Sequence, residues 1–156
     1  MNIAMSIAIA LHVLAAVIWV GGMFFAHQVL RPVAADQLEP PLRQPLWVGV
    51  FNRFFPWVWV AIITLLATGY WMIFAYFNGF AGLPLYVHVM HALALLMFAI
   101  YLYVFFGPFK GLKKAVADKT WPAGKAHIDR IRDMVGINTL LGLLTIAVAT
   151  GGKYLI

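Results

Sequence analysis

Four long runs of apolar residues constrain this chain more than any other feature of its sequence. The first three contain no Asp, Glu, Lys or Arg, and the fourth contains only Lys153, near its end. A bilayer core of about 30 Å requires about 20 helical residues, and every run reaches that length. The runs do not alternate with a period of two, as the strands of a membrane barrel would. The sequence therefore predicts an all-α integral membrane four-helix bundle, a single domain over residues 1–156, with spans at about 3–30, 54–80, 83–109 and 134–155.

Composition supports a membrane environment. Apolar residues make up 64% of the chain and charged residues 10%, against roughly 45–50% and 25% in soluble domains. A chain of 156 residues cannot bury that much apolar surface in its own core, so lipid must cover part of it. This excludes a soluble globular enzyme and a disordered tail. The absence of cysteine from the sequence excludes disulfides, thiolate metal sites and iron–sulfur clusters.

Charge is concentrated in two connections. Residues 31–53 contain four prolines and are expected to form a loop, and residues 110–133 form the second charged loop, with seven of the eleven basic residues. Basic residues accumulate on the cytoplasmic side of short loops. We therefore expect both charged loops to be cytoplasmic, and the uncharged turn 78–84 and both termini to lie on the outer side of a bacterial inner membrane. This topology accounts for the net charge of +6 without a nucleic-acid partner.

Three histidines are the only ionisable residues expected deep inside the spans. His12 lies nine residues after Ile3, which corresponds to a depth of about 13–14 Å below the outer surface. His91 lies about 12 Å below the start of span three and His88 about 7–8 Å below it. Ionisable groups in a bilayer are costly, and each is a functional candidate. His12 and His91 are therefore predicted to share one level on two spans that run in the same direction.

Two imidazoles at one level could hold a metal between two helices. Haem iron takes an axial nitrogen ligand from each side of the porphyrin ring. Lys153 would be the cation closest to the two propionate groups of the haem. A copper site is the alternative, because Met5 and Met90 lie near the histidines and Cu(I) prefers thioether and imidazole ligands. A third interpretation is that the histidines only form hydrogen bonds inside the bundle.

The first and third spans resemble those of a known membrane protein family. Span one contains His12, Trp19 seven residues later, then Gly21-Gly22 and Phe24, and it closes with Arg31-Pro32. Span three contains His88-Val89-Met90-His91. This pattern resembles the CopD-like membrane proteins and the related HemJ-type protoporphyrinogen oxidases. The resemblance places Trp19 with the histidines among the cofactor-binding residues.

The two branches of this resemblance imply different functions. CopD-like proteins are associated with copper handling at the bacterial inner membrane. HemJ-type proteins resemble haem b carriers that use a first-span histidine, matched by His12, a third-span histidine, matched by His88, and a lysine shortly after it. Met90 stands at that lysine position, and a thioether neither carries the charge nor exchanges a proton. Spacing pairs His91 with His12, whereas the family pattern pairs His88 with it.

The leading hypothesis at this point is a haem b-binding redox protein of the inner membrane. It would transfer electrons or, as a haem-dependent oxidoreductase, oxidise a small apolar reductant such as a quinol or a porphyrinogen. Its partners would be the lipid bilayer, a redox protein and a second copy of the chain. The alternatives are a copper-binding or copper-transport protein using His12, His88, His91, Met5 and Met90, and a non-catalytic membrane assembly subunit.

Overall fold

The computed structural model describes residues 3–154, which are helical almost throughout. The helices are α1 (Ile3–Phe24), α2 (Arg31–Gln37), α3 (Pro40–Tyr76), α4 (Leu85–Phe106), α5 (Pro108–Ala117) and α6 (Trp121–Gly151). A π-helical turn, Phe25–Leu30, joins α1 to α2, and short 3₁₀ turns cover Phe80–Gly82 and Gly152–Tyr154. The described part of the chain therefore contains no strand, as the apolar runs predict.

Four helical rods are long and apolar enough to cross a membrane. They are Ile3–Gln37, Pro40–Tyr76, Leu85–Ala117 and Trp121–Tyr154. Each contains all or most of one predicted span, so the prediction of an all-α protein with four transmembrane helices is confirmed. Residue 155, the predicted end of span four, lies outside the described residues.

The two charged segments are mostly helical, and the prediction that 31–53 and 110–133 are loops is wrong for most of their length. The breaks are limited to Leu38–Glu39 in the first segment and to residues 118–120 in the second. Proline is the physical reason. It occupies the first turn of α2, α3, α5 and α6, where its missing N–H costs no hydrogen bond. The prolines in these first turns therefore start helices, and Pro45, which lies inside α3, does not end it.

The rods pack in an order that separates the first and third spans. α1 packs against α3 and α6, and α6 packs in addition against α4 and α5. Within the described residues, α1 and α4 have no extended direct packing. His12 of α1 and His91 of α4 therefore do not face each other directly, and α3 is the helix that both side chains contact.

Aromatic side chains fill the space between α3 and α4. Tyr101 of α4 packs edge-on against Phe55 and Trp59 of α3, with ring centroids 5.5 and 5.3 Å apart. Trp59 also contacts Phe98 at 6.2 Å. The sequence suggests that Phe55 and Trp59 belong to a membrane-interface belt, but Phe55 is only 4% exposed. These rings form a core because the α3 and α4 backbones are not in close contact.

Candidate functional site

His12 lies on the inward face of α1. The residues at helical spacing on both sides of it, Ala8, Ala15 and Trp19, are buried, and this face packs on α3. Gly69 of α3 makes room for the imidazole, since a Cβ atom there would lie 3.3 Å from His12 Cε1. Small residues on α1 and α3 therefore leave space for the imidazole of His12 in an otherwise apolar interior.

A hydrogen-bonded chain fixes the tautomer of His12. Thr68 Oγ1 lies 2.6 Å from the carbonyl oxygen of Thr64, to which it can only donate. The same oxygen lies 2.8 Å from His12 Nδ1. Because the hydroxyl proton is directed to the carbonyl, Thr68 Oγ1 accepts a hydrogen bond from Nδ1–H. In the neutral imidazole the proton is therefore on Nδ1, and Nε2 has no hydrogen-bond partner among the described residues.

His91 has a different environment on α4. Its Nε2 is 2.9 Å from the hydroxyl oxygen of Tyr70, on α3. The Tyr70 ring packs edge-on against the imidazole, with centroids 5.4 Å apart, and Phe80 of the hairpin turn covers it at 5.6 Å. His91 is therefore held by an aromatic pocket through one nitrogen, and Nδ1 has no hydrogen-bond partner in residues 3–154.

The structure relates the two imidazoles through α3. Their partners, Thr68 and Tyr70, are two residues apart, which is about 3 Å of axial rise and about 200° of rotation. His12 and His91 thus approach α3 at similar heights from different sides. No hydrogen bond or ring contact joins the two imidazoles directly within the described chain.

The remaining predicted site residues are more scattered. His88 is exposed, and Met5 and Met90 are half-buried at the same end of the bundle. Trp19 is buried, 3% exposed, and packs edge-on against Tyr101 at 6.3 Å. Lys153 is exposed and lies over the ring of Tyr154 at 4.8 Å. We call this end, which contains Ile3, the turn 77–84 and Gly152–Tyr154, the hairpin end.

Carboxylates do not contribute to this end of the bundle. No group of three His, Asp or Glu side chains in residues 3–154 is close enough to hold a metal ion. Among the described residues, the donors at the hairpin end include imidazole nitrogens and thioether sulfurs, of which the thioethers are soft. Such donors favour a soft monovalent ion over Mg²⁺ or Ca²⁺, which require oxygen ligands.

Sequence reasoning did not assign Thr68, Gly69 and Tyr70 to the site. Thr68 bonds to the backbone carbonyl of Thr64, and its second bond, to His12, depends on which helices are neighbours. One signal was present in the sequence, because a glycine beside a threonine in an apolar span is typical of close helix packing.

The fold and these side chains define a class: a four-helix integral membrane protein with imidazole side chains held inside one end of its bundle. A family model described as "CopD: Copper resistance protein D" matches residues 48–151, about two thirds of the chain. The protein belongs to the CopD family, which confirms the resemblance in its sequence. No curated protein and no solved structure matches the chain. The matched residues include most of α3 and the whole of α4, α5 and α6, while His12 lies before them.

Proposed function

We propose that this protein handles copper in the membrane, binding Cu(I) as its cargo at the hairpin end with His12 Nε2 as the first ligand. The observation that carries the proposal is a pair of consecutive hydrogen bonds. His12 Nδ1–H donates to the Thr68 hydroxyl, which in turn donates to the carbonyl oxygen of Thr64. Metal-binding histidines almost always donate their other N–H to an oxygen, which fixes the tautomer and orients the ring. His12 has this arrangement through Thr68.

The chemistry of the neighbouring donors supports copper. His91 and Met5 are half-buried at the same end, and Cu(I) prefers such thioether and imidazole ligands. A monovalent ion with neutral ligands carries one net charge, which an apolar interior tolerates better than a divalent ion. The association of the CopD family with copper resistance points to the same cargo.

Haem b, the leading hypothesis from the sequence, receives less support. The family model that matches the chain is described by copper resistance and not by haem. Haem binding and a purely structural role for the histidines are alternative outcomes of the following experiment.

The experiment is a competition titration of the purified protein in detergent, under reducing and anaerobic conditions, with a chromogenic Cu(I) chelator. We expect about one tightly bound Cu(I) per chain. Replacing an outer partner of a metal ligand costs about 10–100-fold in affinity, so His12→Ala, which removes the ligand itself, should cost about 100-fold.

His127→Ala is the matched control. His127 packs against Gly111 on α5, at the opposite end of the bundle, and its removal should leave the affinity unchanged. Equal affinity in wild type and His12→Ala, or no Cu(I) binding by the wild type, would contradict the proposal. A haem spectrum that disappears in His12→Ala would favour the redox hypothesis instead.

A further inference from the structure

A cleft with both cationic and apolar walls lies at the basic end of the bundle, which is the end that contains α5. We call it the basic-end cleft. Arg31, Arg132 and His27 line it together with apolar residues that include Trp47. Arg31 follows Ile3 by twenty-eight residues, or about 40 Å along the first rod, which is the thickness of a bilayer with its head groups. The basic-end cleft therefore lies at the level of lipid head groups, opposite the hairpin end.

The π-helical turn Phe25–Leu30 and the proline after it orient the Arg31 side chain. The backbone N–H of Arg31 bonds to the carbonyl of Ala26, and Pro32 has no N–H to donate. The carbonyl oxygen of His27 accepts a hydrogen bond from Arg31 Nε instead, at 3.1 Å. The guanidinium is therefore held to the backbone through one nitrogen. Its two terminal nitrogens, Nη1 and Nη2, have no hydrogen-bond partner within residues 3–154.

Helix α6 forms another wall of the basic-end cleft. A Cβ atom at Gly136 would lie 2.8 Å from His27 Nε2, so the π-helical turn and α6 are in close contact at this level. Arg132 lies one turn before Gly136 on α6, is half-buried, and lines the cleft with Arg31. Two guanidinium groups from different helices therefore share one cleft.

Nearby carboxylates neutralise Arg132 but not Arg31. Arg132 forms ion pairs with Asp129 at 3.3 Å and Asp133 at 3.0 Å, and Asp129 also pairs with Lys125 at 2.6 Å. These two cations and two carboxylates carry no net charge together. Arg31, in contrast, forms no ion pair in the part of the chain that the structure describes. Because a half-buried charge is costly without a partner, the cleft has one uncompensated positive charge, which a single monoanionic group would neutralise.

The chemistry of the cleft matches a phospholipid. A phosphodiester carries one negative charge, and a guanidinium binds phosphate oxygens through two parallel N–H···O bonds. The apolar wall at Trp47 continues on α6, where the exposed Leu140 and Leu143 follow Arg132 by eight and eleven residues and lie on the same side of the helix. An acyl chain has an apolar surface to lie on there. Free phosphate has no apolar part and carries more than one charge near neutral pH, so it matches these features less well.

We propose that the basic-end cleft binds one anionic phospholipid from the surrounding leaflet, with its phosphodiester on Nη1 and Nη2 of Arg31 and an acyl chain along α6. Basic pockets between membrane helices bind anionic head groups in this way. A zwitterionic lipid binds more weakly, because its ammonium group would lie beside the Arg31 guanidinium. This inference goes beyond the proposed function and does not depend on copper.

The test is native mass spectrometry of the full chain from a non-ionic detergent, titrated with dioleoyl-phosphatidylglycerol or with dioleoyl-phosphatidylcholine, which has the same acyl chains. We expect one phosphatidylglycerol to bind about fivefold or more tightly than phosphatidylcholine, in the range for one basic side chain at a membrane surface. Arg31→Met keeps an unbranched apolar side chain and removes the guanidinium, so its affinity for phosphatidylglycerol should fall to the level for phosphatidylcholine. Millimolar inorganic phosphate should not displace the lipid.

Arg53→Met is the matched control, because Arg53 is exposed on α3 and does not line the cleft; it should bind phosphatidylglycerol as the wild type does. Arg31→Lys keeps the charge but not the two parallel donors, so it should show intermediate affinity, and it provides the comparison if Arg31→Met does not fold. Equal binding of the two lipids by the wild type, or equal losses in Arg31→Met and Arg53→Met, would overturn the proposal. Displacement of the lipid by phosphate would also overturn it and assign the cleft to a free anion.

Discussion

At the scale of single residues, the Thr68 hydroxyl determines which nitrogen of His12 carries the proton. It donates to the Thr64 carbonyl and accepts from Nδ1, so Nε2 is the basic nitrogen. The sequence identifies His12 as a candidate because ionisable groups in apolar spans are rare. It does not identify Thr68, since 56 residues separate the two and only the packing of α1 on α3 brings them together.

This role of Thr68 predicts a specific loss of copper affinity. Thr68→Val keeps the shape of the side chain and removes the acceptor for Nδ1–H, so the ring loses its preferred tautomer and orientation. We expect Cu(I) affinity to fall about 10–100-fold, as for other outer partners of metal ligands. The measurement is the same competition titration with the chelator.

Thr64→Val provides the matched comparison one turn away. The Thr64 carbonyl, not its hydroxyl, takes part in the chain, so this variant should bind Cu(I) as the wild type does. Equal losses in the two variants would show that the effect comes from general destabilisation and not from the orientation of His12.

At the scale of elements, close approach of helices depends on glycines in α6. A Cβ atom at Gly142 would lie 2.7 Å from Val20 Cγ2 of α1 and 3.1 Å from Met97 Cε of α4, so this residue lies where three helices meet. Small residues of this kind let neighbouring helices approach closely in a membrane. The helical continuation of α3 back to Pro40 was not predicted, because proline can equally well break a helix or begin one.

Gly142→Ala should therefore destabilise the bundle. The added methyl group meets two buried side chains, and overpacking of this kind costs about 1–3 kcal/mol. We expect a lower midpoint of thermal unfolding in detergent. Gly21→Ala on α1 is the control, since a Cβ atom there meets nothing within 4 Å, and it should unfold at or slightly above the wild-type temperature. A Gly142→Ala variant as stable as Gly21→Ala would contradict the packing described.

At the scale of the whole molecule, charge divides the bundle into two ends. The exposed Lys110, Lys113 and Lys114 project from α5, whose opposite face buries Phe109 and Leu112. The hairpin end contains only one basic residue, Lys153, among those described. Apolar runs and charge bias can be read directly along the sequence. The sequence alone is therefore sufficient to predict four spans. The separation of α1 from α4 depends on three-dimensional packing, for which a single sequence contains no direct signal.

The charge distribution predicts the orientation of the protein in the membrane. Because the chain has no cysteine, single substitutions report the side on which a residue lies. Ala81→Cys in the turn and Ala117→Cys at the end of α5 are both at exposed positions. Positive residues favour the cytoplasmic side, so a membrane-impermeant maleimide should label Ala81→Cys in intact bacterial cells and Ala117→Cys only after lysis. The reverse pattern would place the proposed copper site on the cytoplasmic side.

The most direct test of the central claim, that His12 helps to hold copper, is elemental analysis combined with an optical spectrum. The wild type and His12→Ala would be purified from membranes of cells supplied with both copper and iron. We predict that the wild type contains copper, that His12→Ala contains little of it, and that neither shows a Soret band. A wild-type protein that contains iron with a Soret band and no copper would contradict the account, as would equal copper in both proteins.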